Sequence, residues 1–263
     1  MAKSRLDTLL AARGLFVSRS RAAAAVMAGE VRIAGSDGFP KPGQMVADDV
    51  TLDIAEGRQY VSRGGVKLAN ALDAFAFDPG GRRCLDVGAS TGGFTDCLLR
   101  RGADSVIALD VAYGELALVL REDPRVTVIE RTNARSLDPA ALPWEPEVVV
   151  CDVSFIGLEK VLPAVLACAS PGFDCLALVK PQFEAGRARV GRGGVVRSAP
   201  VRRETLVSVG RAVRDGLGLG VLGFAPSGLP GPAGNRETFV WICEAGREGV
   251  VEDIEAAAQR AEP

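Results

Sequence analysis

Two ionisable residues each stand directly behind a run of apolar ones: Asp152 in C-D-V-S-F and Lys180 in L-V-K-P-Q-F-E. A charge that follows an apolar strand sits at the mouth of a sheet, where it can bind a ligand or move a proton. Alone, each reads equally well as a surface salt-bridge partner; together, facing one crevice, they are better explained as chemistry. Lys67, in S-R-G-G-V-K-L, lies on a helical stretch that can reach back over the same place. The chain has no histidine. Ser-His-Asp and Cys-His chemistry are therefore excluded, and a general base must be a carboxylate, Lys, Tyr or Cys.

A second constellation precedes these residues. Asp86-Val87-Gly88-Ala89-Ser90-Thr91-Gly92-Gly93-Phe94-Thr95 reads as a glycine-rich turn from strand into helix. Glycines there permit a tight turn and let a ligand approach the backbone. Candidate cofactor contacts are Asp86, Gly88, Ser90, Thr91, Gly92, Gly93 and Phe94. Asp110 ends the next apolar run, where a carboxylate can accept hydrogen bonds from a ribose diol. Asn133, after the third run, can meet an adenine edge, and Asp152 completes the set. A strand-end turn without any ligand is the plain alternative, and a dinucleotide-dependent oxidoreductase is the rival. The spacing is not G-x-G-x-x-G, however, and an acid two residues before the first glycine suits a cation better than a pyrophosphate.

Short apolar runs must position these residues: 84–87, 106–109, 126–129, 148–151 and 176–179, separated by helical stretches. Continuous apolar strands imply a mostly parallel sheet covered on both faces, an α/β fold that binds ligands beyond the carboxyl ends of its strands. Residues 198–217 read as a covering helix and 228–234 as a turn. Residues 235–240 begin a late strand, expected to close the sheet as its antiparallel member, and 250–260 form a terminal helix.

The segment from Asp86 resembles motif I of class I (Rossmann-like) S-adenosylmethionine-dependent methyltransferases, D-x-G-x-x-x-G-G. Lys67, Asp152, Lys180 and Glu237 match, in order and context, the Lys-Asp-Lys-Glu tetrad of FtsJ-like ribose 2′-O-methyltransferases. Nearly the whole chain resembles the TlyA (hemolysin A-like) family. The resemblance implies S-adenosylmethionine as cofactor and methyl transfer to a cytidine 2′-hydroxyl in 16S or 23S ribosomal RNA. It gives Asp86 the methionine portion of the cofactor. Lys180 would receive or steer the hydroxyl proton, with Asp152 and Glu237 orienting the two lysines.

Ahead of this domain, Leu6, Leu9, Leu10 and Leu15 predict a helix ending at Gly14. Ser18 caps a second, whose apolar face holds Ala22, Ala25 and Val26. Strands are expected at 31–33 and 50–52, with turn residues at 35–42. R-L-D-x-x-L, G-L-x-x-S-R, G-x-V-x-I and Lys41-Pro42 follow in the order of an S4-like RNA-binding domain, which these residues resemble. Residues 1–33 carry six basic side chains against Asp7 and Glu30, and forked guanidiniums suit phosphate. Arg5, Arg13, Arg19, Arg21 and Lys41 are the RNA-binding candidates there. Arg63, Arg187, Arg189 and Arg192 join them, the last three in a stretch, 180–203, with seven basic residues and one acid. A solvated helical face and an ordinary surface loop are the plain alternatives. Phe155, Trp144, Trp241 and Phe183 are candidates for stacking on bases, Phe155 first.

The expected organisation is a small S4-like α+β domain over 1–57, a linker over 58–63 and the methyltransferase domain over 64–263. Net charge is only −2, so a polyanionic partner must be met by local clusters. Six cysteines without a C-x-x-C pair, and no histidine, make a metal site unexpected. No signal peptide or membrane span is expected, which fits a cytoplasmic monomer acting on ribosomal RNA or subunits. A non-catalytic RNA-binding assembly factor and, with less support, a membrane-active hemolysin remain as alternatives.

Overall fold

The computed structural model describes residues 3–16, 18–27, 29–36, 40–54 and 59–262. The chain divides into two compact units, Met1–Arg63 and Gly64–Pro263; the expected border at 57/58 lies outside the described residues.

The first unit comprises β1 (Lys3–Arg5), α1 (Leu6–Ala12), α2 (Arg19–Met27), β2 (Val31–Ile33), β3 (Met45–Ala47) and β4 (Leu52–Ile54). β1 pairs antiparallel with β3, and β2 with β4. Leu6, Leu9 and Leu10 recur at helical spacing and pack with Ala22, Ala25, Val26, Val31 and Val46. Ser18 Oγ accepts from Arg21 N at 3.1 Å and so caps α2. Leu15 departs from expectation: α1 ends at Ala12, Gly14 turns left-handed (φ 70°), and Leu15 is exposed. The expected strand at 50–52 is displaced to 52–54, because Val50 closes a turn by donating its N–H to Ala47 O. Of the expected turn at 35–42, residues 37–39 lie outside the described residues.

The second unit opens with α3 (Arg63–Ala74), followed by β5 (Arg83–Val87), α4 (Gly93–Arg100), β6 (Ser105–Leu109), α5 (Leu118–Arg121) and β7 (Val126–Ile129). β8 (Val148–Cys151), α6 (Leu162–Leu166), β9 (Asp174–Val179), α7 (Pro181–Glu184), α8 (Ala199–Arg211), β10 (Leu219–Pro226), β11 (Thr238–Glu244) and α9 (Ile254–Ala261) complete it. Seven strands form one sheet in the order β10-β11-β9-β8-β5-β6-β7. The five from β9 to β7 are parallel, and β8 and β9 are buried along their whole length. The chain runs outward from β5 through β6 to β7, then returns to β8 on the other side of β5. That reversal opens a crevice beyond the carboxyl ends of β5 and β8.

Two expectations change here. β11 does not close the sheet; it lies between β9 and β10, antiparallel to both. The edge strand, β10, hides behind its glycines: a Cβ on Gly220 would meet Val250 Cγ2 at 2.6 Å, and the register shifts between Val221 and Gly223. The covering helix is shorter than 198–217 as an α-helix, with α8 running on into a π-turn at 212–216. The six cysteines are buried free thiols. No helix among the described residues is long and apolar enough to cross a membrane.

Candidate functional site

The tetrad residues gather at one end of the sheet. Asp152 follows β8, Lys180 follows the adjacent β9, and Glu237 precedes β11, whose Thr238 pairs with Val179. Glu237 and Lys180 thus leave neighbouring strands at the same level, about 5 Å apart in the pairing direction. Lys180 Nζ lies 2.6 Å from Asp152 Oδ1, at angles that make an ion pair but no hydrogen bond. The ammonium's hydrogen bond goes to Ser154 Oγ at 2.8 Å. Lys67 Nζ donates to Glu237 Oε2 at 2.5 Å, and both side chains are buried.

Local sequence fixes this second pair. Asn70, one turn beyond Lys67 on α3, donates to Ser227 O at 2.9 Å, docking the helix on the turn between β10 and β11. In that turn Gly231 must lack a side chain, since a Cβ would fall 2.3 Å from Glu237 Oε1. The P-G-P-A-G segment is shaped around the carboxylate it precedes.

The glycine loop bears on the same crevice. Gly88 is left-handed (φ 84°), and a Cβ there would strike Asp152 O at 2.6 Å. Gly88 therefore lets the ends of β5 and β8 meet. Gly92 likewise makes room for Leu116 and Leu120. Asp86 is fully buried. Its Oδ2 accepts from Thr95 N (2.9 Å) and Thr95 Oγ1 (2.7 Å), while Oδ1 has no hydrogen-bond partner. Burial pushes its carboxyl up to about 7, an effect the Thr95 hydrogen bonds oppose and the neighbouring Asp152 and Asp110 charges reinforce.

Asp110 accepts from Ser90 N (2.7 Å) and Ala112 N (2.8 Å), and Ser90 holds a left-handed φ of 47°. These residues line a small cavity with Ala89, Glu115 and Leu116. Thr91 is exposed beside it in sequence, and Gly93 is buried as the first residue of α4. Asn133 is exposed, and its carbonyl caps a short turn by accepting from Arg135 N at 3.0 Å. The Phe94 ring lies in the interior, 5.7 Å from that of Phe239, which leaves only its backbone for a ligand contact. Thr95, in the first turn of α4, clasps Asp86 and is not among the expected site residues.

The basic candidates separate into engaged and open ones. Arg5 bonds Asp7 at 2.8 and 3.1 Å, and Arg19 lies 3.2 Å from the same carboxylate. Both hold Asp7 well below the usual carboxylate range, Arg5 the more strongly. Arg13 donates to Val50 O and Asp48 O, stapling the end of α1 to the turn before β4. Arg21 and Lys41 are exposed, and Arg63 opens α3. Of the seven basic residues in 180–203, Arg202 is buried against Glu262 and Arg203 donates to Glu262 O. Arg189 bonds Ala185 O and Glu204. Arg187 and Arg192 are exposed.

The aromatic candidates divide as sharply. Trp241 packs against Phe75 and Phe77 and donates to Asp174 at 2.8 Å, and Arg83 lies over Trp144, so both are structural. Phe155 is 92% exposed with φ at 65°, its ring 5.2 Å from that of Phe183. A large apolar side chain held in solvent by an unfavourable backbone conformation needs an explanation beyond packing.

Comparison with known proteins supplies a family. Residues 60–243 match the model of the FtsJ-like methyltransferase, and residues 4–36 that of the S4 domain. The chain is 48% identical to the 16S/23S rRNA (cytidine-2′-O)-methyltransferase TlyA of Mycobacterium tuberculosis, over 98% of this chain and 97% of that one. The Campylobacter jejuni protein named 23S rRNA (cytidine-2′-O)-methyltransferase TlyA is 31% identical, over 75% of this chain and 76% of that one. A solved structure of a candidate hemolysin from Streptococcus thermophilus superposes with a TM-score of 0.74 at 36% identity, covering 99% of this chain and 96% of that one. Since the FtsJ-like match takes in β5 through β11 and the first relative aligns from end to end, this chain belongs to the FtsJ-like methyltransferase family, with an S4 domain ahead of the methyltransferase domain.

Proposed function

We propose that the protein transfers a methyl group from S-adenosylmethionine to the 2′-hydroxyl of a cytidine ribose in 16S or 23S ribosomal RNA, in the cytoplasm. The observation that carries the reading is the pair of ion pairs, Lys180–Asp152 and Lys67–Glu237, on adjoining strand ends beside a glycine loop. The loop fits the cofactor: Asp86 Oδ1 is a buried acceptor with no partner, the kind of group a ligand ammonium would satisfy. Asp86, the backbone of 88–94, Asp110 and Asn133 would hold the cofactor, which when bound supplies a sulfonium methyl for in-line attack by the hydroxyl.

Lys180 carries the reactive end of the site. Tethered by Asp152 and Ser154, Lys180 either fixes, as an ammonium, a lone pair of the ribose oxygen along the line of attack while the hydroxyl proton passes to water, or, as the neutral amine, accepts that proton itself. Asp152 offsets its charge. Lys67 and Glu237, being buried and mutually satisfied, hold α3 and β11 against the crevice. Phe155, exposed and aimed outward beside Lys180, offers a face for the target base. Arg21, Lys41, Arg187 and Arg192 supply phosphate contacts; Arg5, Arg13, Arg19 and Arg189 contribute less, because neighbouring carboxylates or carbonyls already hold them.

Lys180→Ala tests the reading. It should lower methyl transfer to ribosomal subunits by at least about 10²-fold, while S-adenosylmethionine affinity by calorimetry stays within about twofold. Full activity in that variant would remove Lys180 from the mechanism. A wild-type protein that binds RNA but never turns over would leave a non-catalytic assembly factor.

A further inference from the structure

Beyond the Lys180–Asp152 ion pair, the segments that leave β8 and β9 are joined three times. Lys180 bonds Ser154, and the Phe155 and Phe183 rings face each other. The third link is a carboxylate: Glu184, the last residue of α7, accepts the Leu158 N–H at Oε1, 2.7 Å away. Its other oxygen lies against Gly157, where a Cβ would stand 3.0 Å from Oε2. Glu184 thus holds the far end of the loop whose middle residue is Phe155.

That loop needs holding. Phe155 combines a φ of 65° with 92% exposure, so neither backbone preference nor burial stabilises its conformation. A strained residue of this kind persists only where its surroundings over-determine it. The upstream anchor is Asp152, whose N–H donates to Val87 O; the downstream one is the Leu158–Glu184 bond. Glu184 also forms one wall of a cavity of about 220 Å³ with Leu162, Val209, Val213 and Leu217. Burial there pushes its carboxyl up; the Leu158 N–H opposes this, Glu159 adds to it and Lys160 offsets it. A partly desolvated carboxylate bonded to a backbone amide is a poor choice for surface solubility and a good one for fixing a loop.

We propose that Glu184 is a positioning residue for methyl transfer: by binding the Leu158 amide it sets Phe155 over the place where the target nucleotide is presented to Lys180. It rests on the methyl-transfer reading above, and it assigns to a residue behind the site a share in substrate placement.

The test compares wild type, Glu184→Ala, Glu184→Gln, Phe155→Ala and the Glu184→Ala/Phe155→Ala pair, as full chains, on ribosomal subunits. Glu184→Ala should lower kcat/KM for RNA by about tenfold, with cofactor affinity unchanged. Glu184→Gln, which keeps an acceptor oxygen, should recover most of the loss. In the Phe155→Ala background, adding Glu184→Ala should cost less than about threefold, because the two act through one element. Undiminished kcat/KM in Glu184→Ala, an equally deficient Gln variant, or a full additional loss in the double variant would each overturn the proposal. Should Glu184→Ala fail to fold, Glu184→Met keeps the bulk but removes the acceptor of the Leu158 N–H, and unchanged RNA kinetics there would overturn it equally. An inactive wild type would instead strike the methyl-transfer reading itself, and this inference with it.

Discussion

Asp86 shows how one side chain can couple folding, pH and ligand. Its carboxyl, raised to about 7 chiefly by burial, binds a proton in the fold at a pH where an unfolded Asp, titrating near 4, has lost it. The sign follows: this group's favourable contribution is complete below about pH 4 and is lost as pH rises through about 7. A cationic ligand reverses the preference by favouring the ionised form. S-adenosylmethionine affinity should therefore weaken as pH falls from 8 to 6, and calorimetry near pH 6.5 in buffers of different ionisation enthalpy should register proton release. Asp86→Asn should flatten both effects; a pH-independent wild-type affinity would exclude Asp86 from the cofactor site. The two tetrad pairs differ in the same currency of burial. Lys67→Ala strands a buried Glu237 and should cost about 3–5 kcal/mol of stability, whereas Lys180→Ala, at a half-buried pair, should cost clearly less in chemical denaturation. Asp152, Lys180 and Asp86 were legible because each stands at a switch from apolar run to polar loop. Thr95 and Glu184 were not, since their roles depend on which backbone amide or carboxylate the fold brings to them.

At the scale of elements, the parallel strands announced themselves by unbroken apolar runs, and the observed β5 to β9 contain every one of the expected cores. β10 did not, because its sequence, L-G-V-L-G-F-A-P, places glycine where Val250 and Phe75 pack close to the backbone. In the first unit β2 lies at its expected bounds, 31–33, whereas β1 and β3, also three residues each, offer too short an alternation to be read. In the loop after β5 the glycines also have a packing role that their spacing does not reveal: the missing side chains admit Asp152 O and the Leu116–Leu120 segment. Gly88→Ala tests this. With φ at 84° and a backbone oxygen 2.6 Å away, it should destabilise by about 2–4 kcal/mol and displace Asp152. Gly81→Ala, also left-handed (φ 69°) but open on all sides, should cost only about 1 kcal/mol. Equal losses in urea titrations would mean that the β5–β8 approach carries no special weight.

For the whole molecule, charge counts in the sequence do not separate basic side chains that hold the fold together from those left open. Arg202 and Arg203 hold the final helix in place through Glu262, and Asp7 occupies two of the six basic residues in 1–33. The surviving open charges suggest a test. Arg21→Glu with Lys41→Glu should weaken ribosomal RNA binding and reduce the slope of log affinity against log salt by about 1–2, with cofactor affinity untouched. An unaltered slope would place the RNA contacts elsewhere. The six buried thiols have a practical corollary. A thiol-directed reagent should find no target on the native protein and six after denaturation, so the wild-type chain is already a silent background for labelling. A cysteine introduced at exposed Asp53 and another at exposed Glu248 would each be modified alone. Paired dyes at those positions would then measure the distance between the two units in solution, with and without added ribosomal RNA.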